Sequence, residues 1–206
     1  MRTSTVHLFV FDGMADWEAA YAIAAINNPQ FQLVPGRFRV ATVAESLYPI
    51  TSVGGMCIQP DLVLSDVSPV ASSLLILPGG ERWESRGNEQ ALEKARNFIA
   101  VGVPVAAICA ATLALARAGL LDNRRHTSNG REYLAGNGYH GGRFYLDVPA
   151  ITDKHVITAS GIAPIDFARE IFKTLDLYSG ATLDAWYALF KDGDSAQFFN
   201  LTRSAA

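Results

Sequence analysis

Val103-Pro-Val-Ala-Ala-Ile-Cys-Ala-Ala-Thr-Leu-Ala-Leu-Ala116 is the stretch on which the reading of this chain turns. Val103 to Ile108 is small and apolar and reads as a short buried strand, and Ala110 to Ala118, rich in Ala and Leu, reads as a helix. Cys109 lies at the turn between them. A helix N-terminus carries unpaired N–H groups and the positive end of the macrodipole, and both favour an anion. A thiol placed there has its pKa drawn from about 8.5 toward roughly 3.5–7.5. Ala107 and Ala111 flank the thiol and let strand and helix approach closely, as in the nucleophile elbow of hydrolases. The same residues also fit a buried structural cysteine in an apolar strand, so the rest of the chain has to supply the support.

Outward from the elbow, strands and helices alternate. Thr5 to Phe11 reads as a buried strand ending at Asp12-Gly13, and Ala15 to Asn28 as a helix stopped by Asn27-Asn28-Pro29. Arg37 to Ala44 alternates as a strand does, and Tyr48 to Leu64 looks like a hairpin or β-extension around Gly54-Gly55. Leu74 to Leu77 is a strongly apolar strand closed by Pro78-Gly79-Gly80, and Asn88 to Gly102 is an amphipathic helix. Beyond the elbow, Val148 to Ile151 and His155 to Thr158 read as short strands separated by Thr152-Asp153-Lys154. Ala163 to Leu175 and Ala181 to Phe190 read as the closing helices. Apolar strands alternating with helices predict an α/β fold, a mostly parallel sheet covered on both faces. No repeat, low-complexity tract or linker interrupts the 206 residues, so residues 1–206 are expected to form a single domain.

Composition removes several function classes. Half the residues are hydrophobic, 18% are charged and the net charge is −3, which gives no electrostatic case for nucleic acid or an anionic membrane. No apolar run reaches the roughly 18 residues of a membrane span. The two cysteines, Cys57 and Cys109, have neither zinc-type spacing nor the density of a secreted disulfide framework. A reducing cytoplasm is the expected setting, with no metal and no cofactor. Cys57 reads as a packed small hydrophobe.

In open α/β sheets the site lies outside the carboxyl ends of the strands. That rule selects Asp12 to Glu18, Pro78 to Trp83, and Cys109-Ala110: a carboxylate, a glycine turn and a thiol. The backbone N–H groups of Gly79, Gly80 and Ala110 are candidates for an oxyanion hole. Trp83 is a candidate pocket wall, or else an ordinary packed tryptophan.

Phe11-Asp-Gly-Met-Ala-Asp-Trp-Glu18, Leu75-Ile-Leu-Pro-Gly-Gly80, Ala106-Ala-Ile-Cys-Ala110 and Ala118-Gly-Leu-Leu-Asp122 together resemble the ThiJ/PfpI family. That family belongs to the class I glutamine amidotransferase-like group, with the Parkinson-disease protein and the PfpI intracellular proteases. The resemblance implies a flavodoxin-like three-layer sandwich, usually a homodimer, with Cys109 as the reactive residue and Glu18 beside it. A Glu18 carboxyl kept protonated by burial would donate a hydrogen bond to the thiolate, whereas a second anion there would raise one partner's pKa. Asp16 is a candidate pocket residue, or else a free, solvent-facing carboxylate elsewhere on the helix.

The chain departs from the family at the third position. Where many relatives close a Thr-Thr-His-like segment with histidine, this chain reads Arg124-Arg-His-Thr-Ser-Asn129. Asn129 holds the expected histidine position. Asn129 and His126 are both candidate pocket residues, although His126, three residues earlier, points to the opposite face if the segment is extended. Position 110, histidine in the protease-like members, is Ala110. A Cys–His dyad is therefore not expected, which disfavours peptidase and amidotransferase chemistry.

Three readings stay open. One is a cysteine-dependent hydrolase or lyase (hydratase- or glyoxalase-like) that adds its thiolate to a small electrophile. The second is a stress sensor or chaperone in which an oxidant converts Cys109 to a sulfinate. The third is a catalytically silent relative.

Overall fold

The computed structural model describes residues 3–136 and 138–204. Its core is a seven-stranded sheet in the order β5-β2-β1-β6-β7-β9-β8. These are β1 (Ser4–Phe9), β2 (Phe38–Ala44), β5 (Leu62–Val63), β6 (Ser72–Leu77), β7 (Val105–Ile108), β8 (Ala150–Asp153) and β9 (Val156–Ala159). All pairings are parallel except β8–β9, which is antiparallel. The inner strands are continuous apolar runs because they are covered on both faces. Every residue of β7 is buried, as are the last four of β1 and of β6.

Helix α1 (Asp16–Asn27) follows β1 and packs against α6 (Pro164–Leu175), on which α7 (Gly180–Lys191) lies in turn. On the other face, α3 (Glu89–Ala100) lies beside α4 (Ala110–Arg117). Helix α3 buries Ala91, Ala95 and Phe98, the four-then-three spacing of a one-sided helix. Helix α4 buries every residue from Ala110 to Ala116, which its alanines permit by keeping it slim. The chain leaves β1 toward β2 on one side and β6 toward β7 on the other. The carboxyl ends of β1 and β6 therefore flank a topological switch point, where an open sheet forms its crevice.

The Gly54-Gly55 region forms a separate hairpin of β3 (Ile50–Thr51) and β4 (Cys57–Ile58), after which β5 joins the sheet edge. Cys57 is exposed on this hairpin, not packed as expected. The other departure is the β8–β9 connection. Strand β8 runs two residues beyond the expected end, and the turn is Lys154-His155, with φ of 47° and 64°. A two-residue turn with both φ values positive matches the twist of its strands, but it is normally built from Asn and Gly. Three short helices were not anticipated: α2 (Glu81–Glu84), α5 (Arg131–Leu134) and α8 (Gln197–Ser204). No helix among the described residues is long and apolar enough to cross a membrane.

Candidate active site

Strand β7 ends at Ile108, and Cys109 caps α4 with φ 58° and ψ −128°, a conformation a non-glycine residue adopts only when its surroundings impose it. Here they do. The Cys109 amide donates to the Ala159 carbonyl at 3.0 Å. Its carbonyl accepts from the Thr112 amide at 3.1 Å and from the Thr112 hydroxyl at 2.6 Å. With the Thr112 proton so committed, the 2.6 Å contact between Thr112 Oγ1 and Ser128 Oγ has Ser128 as donor. This hydroxyl pair ties the elbow to the segment carrying Asn129. Neither residue was singled out from the sequence. The only available signal was a lone threonine one turn into an Ala/Leu helix.

Glu18 is 1% exposed, on the first turn of α1, and its carboxyl oxygen Oε2 accepts the Gly79 amide. The carboxyl also hydrogen-bonds the Cys109 thiol. Two glycines make room for this pair. A Cβ on Gly79 would stand 2.6 Å from the Cys109 Cβ and 2.8 Å from Glu18 Oε2. A Cβ on Gly161 would stand 2.8 Å from the Cys109 sulfur. Gly161, from the loop after β9, was missed at the sequence level.

Asn129 reaches the same sulfur. Its Oδ1 accepts the Gly161 amide at 2.9 Å, which fixes the orientation of the side chain and turns Nδ2 toward Cys109 Sγ at 3.2 Å. The parity expected for an extended segment holds, for His126 lies elsewhere. It is 0% exposed, with Nδ1 2.8 Å from the Arg124 carbonyl and Nε2 2.6 Å from the Tyr139 hydroxyl. A carbonyl can only accept, so Nδ1 carries the proton and Nε2 accepts from Tyr139. Burial lowers the His126 pKa and keeps the ring neutral. His126 as a pocket residue is thus corrected to a structural one. His126→Ala is expected to cost about 1–3 kcal/mol of stability from stranded partners, while the pH profile of Cys109 alkylation stays as in the parent. A lost inflection would reveal an imidazole acting on the thiol.

Three further expectations need correction. The Gly79 amide is spent on Glu18, so Gly80 and Ala110 are left as oxyanion donors. The Ala110 amide is directed at the sulfur, and no hydrogen bond from the Gly80 amide is found among the described residues. Trp83 is 2% exposed and does not line the cleft. Its Nε1 donates to the Pro78 carbonyl at 2.8 Å and its ring packs on Phe9 and Phe11, which supports the glycine turn from beneath. Asp16 is half-buried instead of free, and its Oδ2 accepts the Gly54 amide at 2.7 Å, anchoring the β3–β4 hairpin.

The electrostatics also differ from the expected depressed thiol. Burial first, then the charge of Glu18, pushes Cys109 up to about 11, against the pull of the Asn129 and Ala110 donors. Burial likewise raises Glu18, opposed by the hydrogen bonds its carboxylate accepts from the Gly79 amide and the Cys109 thiol. The two acids share one site that readily holds a single negative charge, so they titrate as a pair. The pair opens on a cleft of about 450 Å³ lined by Asp12, Trp17, Val53, Gly80, Ala110 and the outward residues of α2, Glu81, Arg82 and Glu84.

The sequence pattern of the DJ-1/PfpI family matches residues 4–174. The Bacillus subtilis protein YoaZ, described as an uncharacterized protease, is 40% identical over 204 residues, spanning 98% of this chain and 97% of its own. The deglycase PfpI of Pyrococcus furiosus is 41% identical over 80 residues, 38% of this chain and 48% of its own. The crystal structure of a thiJ/pfpI family protein from Bacillus anthracis superposes with a TM-score of 0.91 at 41% identity, covering 99% of this chain and 98% of that one.

Proposed function

The chain belongs to the DJ-1/PfpI family, and from that premise we propose that it is a cysteine-dependent enzyme acting by thiolate addition on a small electrophile. One observation carries the reading. Cys109 is held in a forced elbow conformation, hydrogen-bonded to Asn129 and to a buried carboxyl, at the floor of an open cleft. The thiol proton passes to Glu18 as sulfur attacks. The S–C bond forms, the C=O (or C≡N-type) π pair moves onto the outer atom beside the Gly80 and Ala110 amides, and Glu18 returns the proton to it. The site's net charge is unchanged throughout. No imidazole bonds the sulfur among the described residues, which weighs against a peptidase-type dyad. The names protease and deglycase belong to the relatives. The same reading takes residues 1–206 as one domain working as a homodimer in the cytoplasm, and it calls on no cofactor.

Intact-mass analysis after separate exposure to small carbonyls and to peroxide tests this. A carbonyl adduct or turnover that is lost in Cys109→Ser and kept in Cys57→Ser is expected. Gain of two oxygens on Cys109 under peroxide, without any carbonyl chemistry, would instead favour the sensor. Inertness to both would leave a silent relative.

A further inference from the structure

The walls of the Cys109 cleft are one-sided in charge. Asp12, Glu81 and Glu84 line it together with the buried Glu18 carboxyl, and Arg82 is the single cationic residue among its lining. That guanidinium is already engaged: its Nη2 contacts Glu45 Oε2 at 3.2 Å and donates to the Gly87 carbonyl at 2.7 Å. Arg117 Nη1 donates to the Glu84 backbone carbonyl at 3.1 Å and forms no ion pair with the Glu84 carboxylate among the described residues. The Glu84 carboxylate is held in place by the Tyr133 hydroxyl at 2.7 Å, a neutral donor.

A separate feature of the same cleft points the same way. Trp17 is 53% exposed, yet its indole is fixed by an Nε1 hydrogen bond to the Gly161 carbonyl at 3.3 Å. A fixed, solvent-facing indole is the best side-chain face for a cation. Carboxylates in a cleft with low-dielectric walls concentrate cations and repel anions beyond what the same charges do on a flat surface.

We infer that the cleft selects electrophiles bearing a positive charge or a basic amine and rejects anionic ones, with Glu81, Glu84 and Trp17 as the specificity-determining residues. This deepens the reading of Cys109 as nucleophile and rests on it. The charge preference can nevertheless be measured without any reaction.

Trp17 is itself the probe, since Trp83 and Trp186 are 2% and 4% exposed. Fluorescence quenching by caesium and by iodide is compared at matched ionic strength, with N-acetyltryptophanamide as the free reference. Caesium is expected to be favoured over iodide by about twofold or more relative to the reference, and Glu81→Gln/Glu84→Gln to abolish the preference. In parallel, Cys109 is modified with trimethylammonioethyl, sulfonatoethyl and uncharged hydroxyethyl methanethiosulfonates, read by peptide mass against free mercaptoethanol. The cationic reagent is expected to outrun the anionic one by about tenfold or more at low salt. The double variant should collapse that ratio, whatever it does to the uncharged rate that serves as the reference.

Equal quenching by both ions, or a preference that survives the double variant, overturns the inference. If the uncharged reagent fails to modify Cys109, the nucleophile reading falls, and the electrophile part of the inference falls with it. The Trp17 quenching ratio still decides the charge preference in that case.

Discussion

Glu18→Gln is expected to lower the pKa of Cys109 and to speed its alkylation at neutral pH. The direction follows from the geometry. With Glu18 ionised, the thiol is pushed up to about 11 by burial and by the neighbouring charge. The amide keeps an oxygen to accept the Gly79 N–H and an NH₂ group to donate toward sulfur, so it removes the charge and little else. A like charge at hydrogen-bonding distance is worth about one to three pKa units. Each unit gained below the parent value multiplies the thiolate fraction at pH 7 about tenfold. The readout is the pH dependence of iodoacetamide modification at Cys109, with the exposed Cys57 as internal standard. Glu18→Leu is the instructive contrast. It also removes the charge, but it strands the buried Gly79 amide and offers the sulfur no donor in place of the Gln amide, costing about 1–3 kcal/mol of stability. Any turnover should fall in both variants, because neither can pass a proton. A higher Cys109 pKa in Glu18→Gln would mean that Glu18 acts mainly as a protonated donor in the parent.

The upward push on the thiol, against the depressed value expected at a helix start, has a quantitative reason. A helix terminus contributes about 0.3–1 kcal/mol, less than one pKa unit at about 1.36 kcal/mol each. Burial can move a group by several units the other way. The sequence shows the helix start and conceals both the burial and the carboxylate 91 positions upstream, since 109 and 18 are joined only by the fold. Other features were legible for equally physical reasons. Leu74 to Leu77 and Val105 to Ile108 are buried on both faces and so appear as unbroken apolar runs. The alternation of side chains along an extended segment separated Asn129 from His126. Lys154-His155 escaped notice because neither residue type favours the left-handed region it occupies. Helices α2 and α5 have four residues each, too few to show any period.

Gly161→Ala is expected both to destabilise the protein and to disable Cys109, although the substitution adds one methyl group in a loop. The new Cβ would lie 2.8 Å from Cys109 Sγ, 2.9 Å from Cys109 Cβ and 3.2 Å from Glu18 Oε1. The Cys109 Cβ cannot retreat, because the elbow backbone is pinned through its amide to Ala159 and through its carbonyl to Thr112. The loop must therefore yield, and moving it breaks the Gly161 amide's bond to Asn129 and its carbonyl's bond from Trp17. Overpacking of this kind costs about 1–3 kcal/mol, seen as a lower denaturation midpoint at unchanged m. Asn129, once released, no longer holds Nδ2 on the sulfur, so the thiol loses a donor that favours its anion and alkylation at neutral pH slows. Gly142→Ala separates the local effect from the general cost of adding a methyl to glycine, since a Cβ there meets nothing within 4 Å. It should leave the midpoint level or raise it by a few tenths of a kcal/mol through the unfolded chain's lost freedom. If Gly161→Ala instead matched Gly142→Ala in both midpoint and Cys109 alkylation, the loop after β9 would have slack. The close packing of Gly161 against the thiol would then not be what holds Asn129 and Glu18 on either side of it.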